Sequence, residues 1–313
     1  MEALALSLIN LHYTNLSRTM YVLFFLSVLP SVIGNGNLLD YTHEEQHKWE
    51  KHCSIGKRQS PIHIDSELAI PLPFPALEMV GFHNLVPSPV FITNNGHSVE
   101  IKSLEKGYAQ VFGAFLPGIF EVEGIHFHWG SKNNKGSEHV LNQIRFPMEM
   151  HIVTRNQKYG NLSQAMEHPD GLAVLAMFYQ IQEQPSRVLR QILREMVMVR
   201  TVGSTTYLTS SLPLSQLVPK STDIFYSYQG SLTTPPCSES VIWIVFPDPL
   251  PISYSQMALF RHLSAGEEKL VDNFRQVQRL GSRKVYVRRH PTEYSHHMAD
   301  QWNLTSHILW GLP

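Results

Sequence analysis

The chain has 313 residues, 43% of them hydrophobic, enough to bury a large core and to exclude a disordered segment. A formal net charge of -1 excludes a strongly basic nucleic-acid groove or membrane patch. Seventeen histidines against two cysteines argue against a cysteine-built metal centre and leave a histidine-built one open.

At the N-terminus, Arg18 precedes an apolar run over 20–33, followed by Gly34-Asn35-Gly36. That is the charged flank, short apolar core and small-residue cleavage region of a signal peptide, so 1–34 is expected to be removed, with Met20 an alternative start. An uncleaved anchor is disfavoured, because the run contains Ser27, Pro30 and Ser31 and a span needs roughly 20 apolar residues. Secretion is the expected destination, with no stable membrane insertion afterwards. In an oxidising compartment Cys53 and Cys237 are expected to pair, two buried free thiols being the alternative. A bridge closing so long a loop stabilises by about 4–5 kcal/mol in chain-entropy terms. Asn161-Leu162-Ser163 and Asn303-Leu304-Thr305 are acceptor patterns for N-linked glycans.

From about residue 41 to 289, short β-like runs alternate with Pro, Gly and Asn. Strands are predicted over 90–93, 98–102, 108–112, 118–129, 145–154, 171–181, 224–228, 241–246 and 284–287. The run 172–181 is apolar on both alternating faces, the mark of a strand covered on both sides. Ser186 can cap a helix whose Val188, Leu189, Ile192, Leu193 and Met196 recur at helical spacing, and a shorter helix is predicted over 255–263. Many strands, few helices and no β-α-β alternation predict a mixed, β-dominated (α+β) single domain over 35–289. Its centre is expected to be a large, mostly antiparallel twisted sheet with a few peripheral helices. Residues 290–313 read as a polar, irregular tail without the long apolar end of a lipid-anchor signal.

Residues two apart on a strand face the same way, so in His126-Phe127-His128 both imidazoles reach one point while Phe127 packs opposite. His151 shares a face with Glu149 and Val153 in a second strand-like run, and completes a three-nitrogen site if the two runs are neighbours. Three neutral imidazoles leave a divalent ion's charge uncompensated and one coordination position open, the arrangement of a catalytic zinc. Taken alone, a His-x-His pair on a strand is more often two core or surface histidines than two ligands.

Further stretches carry more. They are Arg58-Gln59-Ser60-Pro61-Ile62, Asn94-Asn95-Gly96-His97, Ile125-His126-Phe127-His128-Trp129-Gly130 and Gly136-Ser137-Glu138-His139. They continue with Met150-His151-Ile152-Val153, Pro169-Asp170-Gly171-Leu172-Ala173-Val174-Leu175, Gly230-Ser231-Leu232-Thr233-Thr234-Pro235-Pro236-Cys237 and Val271-Asp272-Asn273. In this order they resemble the alpha-class carbonic anhydrases of the secreted type.

The resemblance implies a Zn2+ enzyme that reversibly hydrates carbon dioxide to bicarbonate and a proton, with zinc-bound hydroxide attacking at the base of a cleft. It assigns metal ligation to His126, His128 and His151. It gives Thr233 the task of orienting the hydroxide while donating its own proton to Glu138, and it gives Thr234 a contact to bicarbonate. His97 matches the proton shuttle, since an imidazole of ordinary pKa, about 6.5, takes and releases a proton at neutral pH. Val153, Val174, Leu232, Val241 and Trp243 match the apolar wall for carbon dioxide. Glu149 matches the carboxylate behind His151, Tyr41 a tyrosine on the water network, and Cys53 and Cys237 the bridged pair of secreted members. The implied partners are carbon dioxide and bicarbonate, with no nucleic acid.

Some positions depart from the family pattern. Gly124 stands where a glutamine usually bonds the first zinc histidine, so that support is expected to be missing or supplied by water. Losing such a partner typically costs about 10- to 100-fold in metal affinity or activity. Glu100 stands where a neutral amide is common near the proton path, and a carboxylate there favours a protonated His97 and slower proton release. Phe274 and Gln276 replace a more usual tryptophan and proline. Competing readings are a catalytically weak or inactive binding protein on the same fold, a zinc hydrolase of esters or peptides, and an adhesion protein using the tail. The complete histidine set with Thr233 and Glu138 argues against the first, and the want of any peptide-groove signal against the second.

Overall fold

The structure is a computed structural model and describes residues 42–288. The predicted signal segment, Tyr41, Asn303 and the tail lie outside the described residues. The strands are β1 (His63–Ile64), β2 (Ile70–Leu72), β3 (Leu77–Val80), β4 (Val90–Asn94), β5 (Val99–Ser103), β6 (Gln110–Gly113) and β7 (Phe120–Trp129). They continue as β8 (Val140–Leu141), β9 (Met148–Asn156), β10 (Leu172–Ile181), β11 (Thr205–Tyr207), β12 (Phe225–Gly230), β13 (Val241–Ile252) and β14 (Tyr286–Arg288). The α-helices are α1 (His52–Ile55), α2 (Leu162–Ala165), α3 (Arg187–Met196) and α4 (Tyr254–Phe260).

One sheet dominates, in the order β11-β4-β5-β7-β9-β10-β13-β12-β14-β2, with β6 pairing β7 and β3 pairing β6. All its neighbours are antiparallel except β10–β13 and β14–β2. β1 and β8 form a separate parallel pair. The mixed, β-dominated architecture expected from the sequence is therefore present. No helix among the described residues is long and apolar enough to cross a membrane.

Strand β10 explains why the core has two halves. It lies between β9 and β13, and its residues from Leu172 to Tyr179 are all buried. Ala173, Leu175, Met177 and Tyr179 join one cluster, while Leu172, Val174, Ala176 and Phe178 join another on the opposite face. α3 seals the first cluster with Leu189, Ile192, Leu193 and Met196, and Ser186 Oγ accepts from Leu189 N at its start.

The bounds differ from expectation where proline and side-chain bonds act. β13 runs six residues past the predicted end, to Ile252, through Pro247, Pro249 and Pro251. β12 leaves it at Val245, so beyond that point only β10 pairs it and missing N–H groups on the other edge cost nothing. The predicted run 145–154 is shifted to Met148–Asn156, because Phe146 instead exchanges bonds with Ser137 (2.8 and 3.0 Å). α4 starts at Tyr254 rather than 255 because Ser253 and Gln256 form a capping box, and it ends at Phe260 rather than 263. β1, β2, β3, β8 and β11 are too short for alternation to reveal.

Candidate metal centre

The register of β7 against β9 sets His126 opposite His151 and His128 opposite Glu149. Pleating sends Phe127, Trp129, Met150 and Ile152 into one core cluster and leaves the three histidines together on the other face. Their rings stand with centroids 4.7 to 5.0 Å apart. One ring nitrogen of each lies within 4.8 Å of the other two, and His126 Nε2 is 3.2 Å from His151 Nδ1. Two nitrogens on a tetrahedral zinc are about 3.3 Å apart, so this spacing fits.

Hydrogen bonds dictate which nitrogens face inward. His128 Nδ1 meets the carbonyl of Asn273 at 2.8 Å, and a carbonyl only accepts, so Nδ1 carries the proton and Nε2 presents a lone pair. That Nε2 is buried and has no hydrogen-bond partner. His151 Nε2 donates to Glu149 Oε1 at 2.7 Å, which turns its Nδ1 inward in the same way. Burial first, then mutual repulsion among the rings, holds His126 well below the usual imidazole pKa. Burial likewise lowers His128, against the opposing pull of Glu138. Neutral imidazoles at neutral pH are what a cation needs.

Behind this face lies a buried relay. Glu149 Oε1 also accepts from His139 Nδ1 (2.7 Å), and Oε2 accepts from the His139 amide (2.8 Å). His139 Nε2 bonds Tyr228 Oη at 2.7 Å, and Tyr228 Oη bonds Ser60 Oγ at 2.9 Å. Burial pushes the Glu149 carboxyl up, but His139 and His151 together outweigh it and keep it well below the carboxylate range. His139, Glu149 and His151 also lie close enough to suggest a cation cradle. Their facing atoms are already engaged with one another, so this is a relay and not a second metal site.

The Thr233 loop is anchored at both ends. Ser60 N donates to Ser231 Oγ (2.9 Å) and Ser231 N to Ser60 Oγ (3.0 Å). Gly230 is required there, since a Cβ would sit 2.0 Å from Ser60 Oγ and under 3 Å from the Tyr228 and Trp243 rings. Cys237 is joined to Cys53 by a disulfide with Cα atoms 5.0 Å apart, and its amide bonds the Thr234 carbonyl at 2.9 Å.

Comparison with known proteins now decides the family, because the model described as eukaryotic-type carbonic anhydrase matches residues 44–289. This chain belongs to the eukaryotic-type carbonic anhydrases. It is similar to carbonic anhydrase 7 of Homo sapiens, 39% identical over 247 residues that cover 76% of this chain and 91% of the relative. Carbonic anhydrase 7 of Mus musculus is 40% identical over 247 residues, with the same coverage of 76% and 91%. A putative carbonic anhydrase 3 of Caenorhabditis elegans is 32% identical over 235 residues, covering 74% and 89%.

The residues singled out from the carbonic anhydrase resemblance fall as follows. Val153, Val174, Leu232, Val241 and Trp243 meet in one apolar cluster. Leu162 and Met166 pack on the same cluster and were not foreseen; their signal was the i, i+4 spacing just before Pro169. His97 follows β4 in a turn where its amide bonds Asn95 Oδ1 (3.0 Å) and its carbonyl accepts from Asn273 Nδ2 (2.8 Å). Asn273 thus joins the His97 turn to His128, a function its motif alone did not disclose. Thr233 is buried and Thr234 half-buried. Asn161 is exposed and caps α2 through Oδ1, accepting from Gln164 N at 2.9 Å.

The expected hydrogen bond from Thr233 to Glu138 is not formed. Glu138 Oε1 accepts from Arg275 N (2.8 Å), while Oε2 has no hydrogen-bond partner and lies 3.4 Å from His128 Nε2. Glu100, expected to act on His97, is ion-paired with Lys102 at 2.7 Å. Beside Gly124 the Lys102 stem lies 3.0–3.2 Å from where a Cβ would stand.

Proposed function

We propose that this chain reversibly hydrates carbon dioxide to bicarbonate and a proton, with zinc held by His126, His128 and His151. The observation that carries the reading is the convergence of inward ring nitrogens, one of which, His128 Nε2, is buried without a partner. A zinc ion there supplies a hydroxide nucleophile at neutral pH by lowering the pKa of water to about 7, a value long established for carbonic anhydrases themselves.

The chain's own residues do the rest. Glu138 Oε1 is committed to the Arg275 amide, so Oε2 is left to take the Thr233 hydroxyl proton once His128 Nε2 is engaged. A threonine donating to a carboxylate offers only its lone pairs to the nucleophile, which fixes the nucleophile's direction of attack. Thr234 contacts bicarbonate. Val153, Val174, Leu232, Val241 and Trp243 give an uncharged substrate an apolar wall. Glu149 holds the His151 tautomer, and His97 takes the product proton to solvent. The Cys53–Cys237 bridge and the apolar run over 20–33 support a secreted protein. The exposed Asn161 is the glycan acceptor that this destination would use.

The test is stopped-flow carbon dioxide hydration on the purified chain, with zinc quantified in the same sample. Rapid hydration, lost on chelation and restored by zinc, is the expected result. In His97→Ala, turnover slows in weak buffer and added imidazole restores it. A folded chain with one zinc and no hydration would make it a binding protein on this fold. A folded chain with neither overturns the reading.

A further inference from the structure

We propose that Lys102 sets how firmly the site holds its metal, its methylene stem buttressing His126 and its ammonium opposing the cation. This rests on the zinc reading above. The three histidines are not equally supported. His128 and His151 each have the outer ring nitrogen fixed, by the Asn273 carbonyl and by Glu149. Among the described residues nothing bonds Nδ1 of His126.

The backbone explains what stands there instead. β5 runs beside β7 with Glu100 opposite His126, so residues 100 and 102 share a face beside the ligand strand. The pairing of β7 with β9 slips between Val122 and Gly124, leaving Glu123 as an extra residue bonded to Arg155 Nε at 2.5 Å. At Gly124 the stem of Lys102 crosses the space a side chain would fill. A Cβ there would lie 3.0 Å from Lys102 Cγ, 3.2 Å from Cε and 3.3 Å from the Ile101 carbonyl. A side chain at 124 would therefore require the Lys102 stem to give way.

The stem carries its charge toward the site. Lys102 Nζ is held by Glu100 at 2.7 Å, and both side chains are partly exposed, at 49% and 30%. An ion pair so exposed is weak, and in it Lys102 offsets the Glu100 carboxylate that stands opposite His126. Packing and charge thus act in opposite directions on the same ligand. The stem packs over Gly124, two residues from His126 on the same face, and the ammonium repels any cation that the ring binds.

The two effects are separable. Lys102→Met keeps the stem and removes the charge, whereas Lys102→Ala removes both. The full chain is loaded with zinc, placed in excess chelator, and the release rate is followed with a zinc-responsive dye. Cobalt(II) absorbance reports the ligand geometry, and thermal unfolding confirms that each variant is folded. Lys102→Met is expected to release zinc more slowly than wild type, by about 10-fold on the scale of outer-shell effects. Lys102→Ala is expected to release it faster than Lys102→Met and to show an altered cobalt spectrum. A wild-type chain that holds zinc, with release unchanged in both variants, overturns this proposal alone. A wild-type chain that binds no zinc overturns the reading of the site, and this proposal with it.

Discussion

The two sides of the histidine cluster are built differently. On the His128 and His151 side every outer nitrogen is bonded, and the supporting Glu149, His139, Tyr228, Ser60 and Asn273 are buried. On the His126 side the neighbours are a glycine and a half-exposed Lys102–Glu100 pair. Buried polar networks are rigid because each lost bond strands a partner in low dielectric, whereas an exposed pair can exchange with water. The first side is suited to holding geometry and the second to adjustment. The contrast teaches that ligands from one strand pair need not be equivalent, since each inherits the surroundings of its own neighbouring strand.

The largest break in this comparison is expected from His128→Ala. It removes a ligand and leaves Glu138 Oε2 facing a cavity, so metal content and hydration should fall by more than the roughly 10- to 100-fold typical of supporting residues. Zinc analysis with stopped-flow hydration checks this. Glu149→Ala comes next. It strands the His139 amide and ring nitrogen and frees His151 to take the wrong tautomer. A drop of about 10- to 100-fold in zinc affinity is expected, with unfolding eased by about 1–3 kcal/mol for each stranded donor. Competition with a chelator and urea denaturation measure the two separately. Equal losses from Glu100→Ala would contradict the contrast.

Glycine substitutions sharpen it. Gly230→Ala drives a methyl into Ser60 Oγ and two aromatic rings, at an expected cost of about 1–3 kcal/mol from overpacking. Gly124→Ala meets a lysine stem that can swing toward solvent, so its cost should stay below about 1 kcal/mol. Urea midpoints of the two variants give the comparison directly.

The smallest effect is expected from pH. The His43 ring stands 6.4 Å from that of His97, and burial followed by His128 and His97 lowers its pKa to about 3. The unfolded chain takes up this proton below about 6.5 while the folded chain does not until about 3. Stability is therefore full above the unfolded value and declines as pH falls through that window, by at most about 1.4 kcal/mol per pH unit for one proton. Glu149 adds a loss of the same sign at lower pH, where its depressed carboxyl protonates. Urea titrations at pH 7.5 and 5.5 should show the decline, and His43→Phe should make it shallower, the buried His126 and His128 contributing the rest.

Much of the site was legible because its signals are local. The spacing of His126 and His128, and of Glu149, His151 and Val153, states which residues share a face before any fold is known. The Ser186 cap and the apolar period after it placed α3 to the residue. Less legible were β13, where proline marks an end in sequence but not on an unpaired edge, and Asn273, whose bonds reach back to residues 97, 127, 128 and 129. The Thr233–Glu138 bond read from the resemblance is not formed: Arg275 N donates to one carboxylate oxygen, and the other has no hydrogen-bond partner.

The sequence by itself determined which residues face one another, because pleating is a property of the covalent chain and repeats every second residue. It also left histidine nitrogen, rather than sulfur, as the donor set a metal site could use. Only the tertiary structure decided which nitrogen of each ring points inward, because the deciding acceptors, the Asn273 carbonyl and Glu149, are set by strand register and loop return. It alone set the Lys102 stem beside Gly124. That outcome depends on β5 lying against β7 and on a bulge at Glu123, neither of which leaves a periodic trace in the chain.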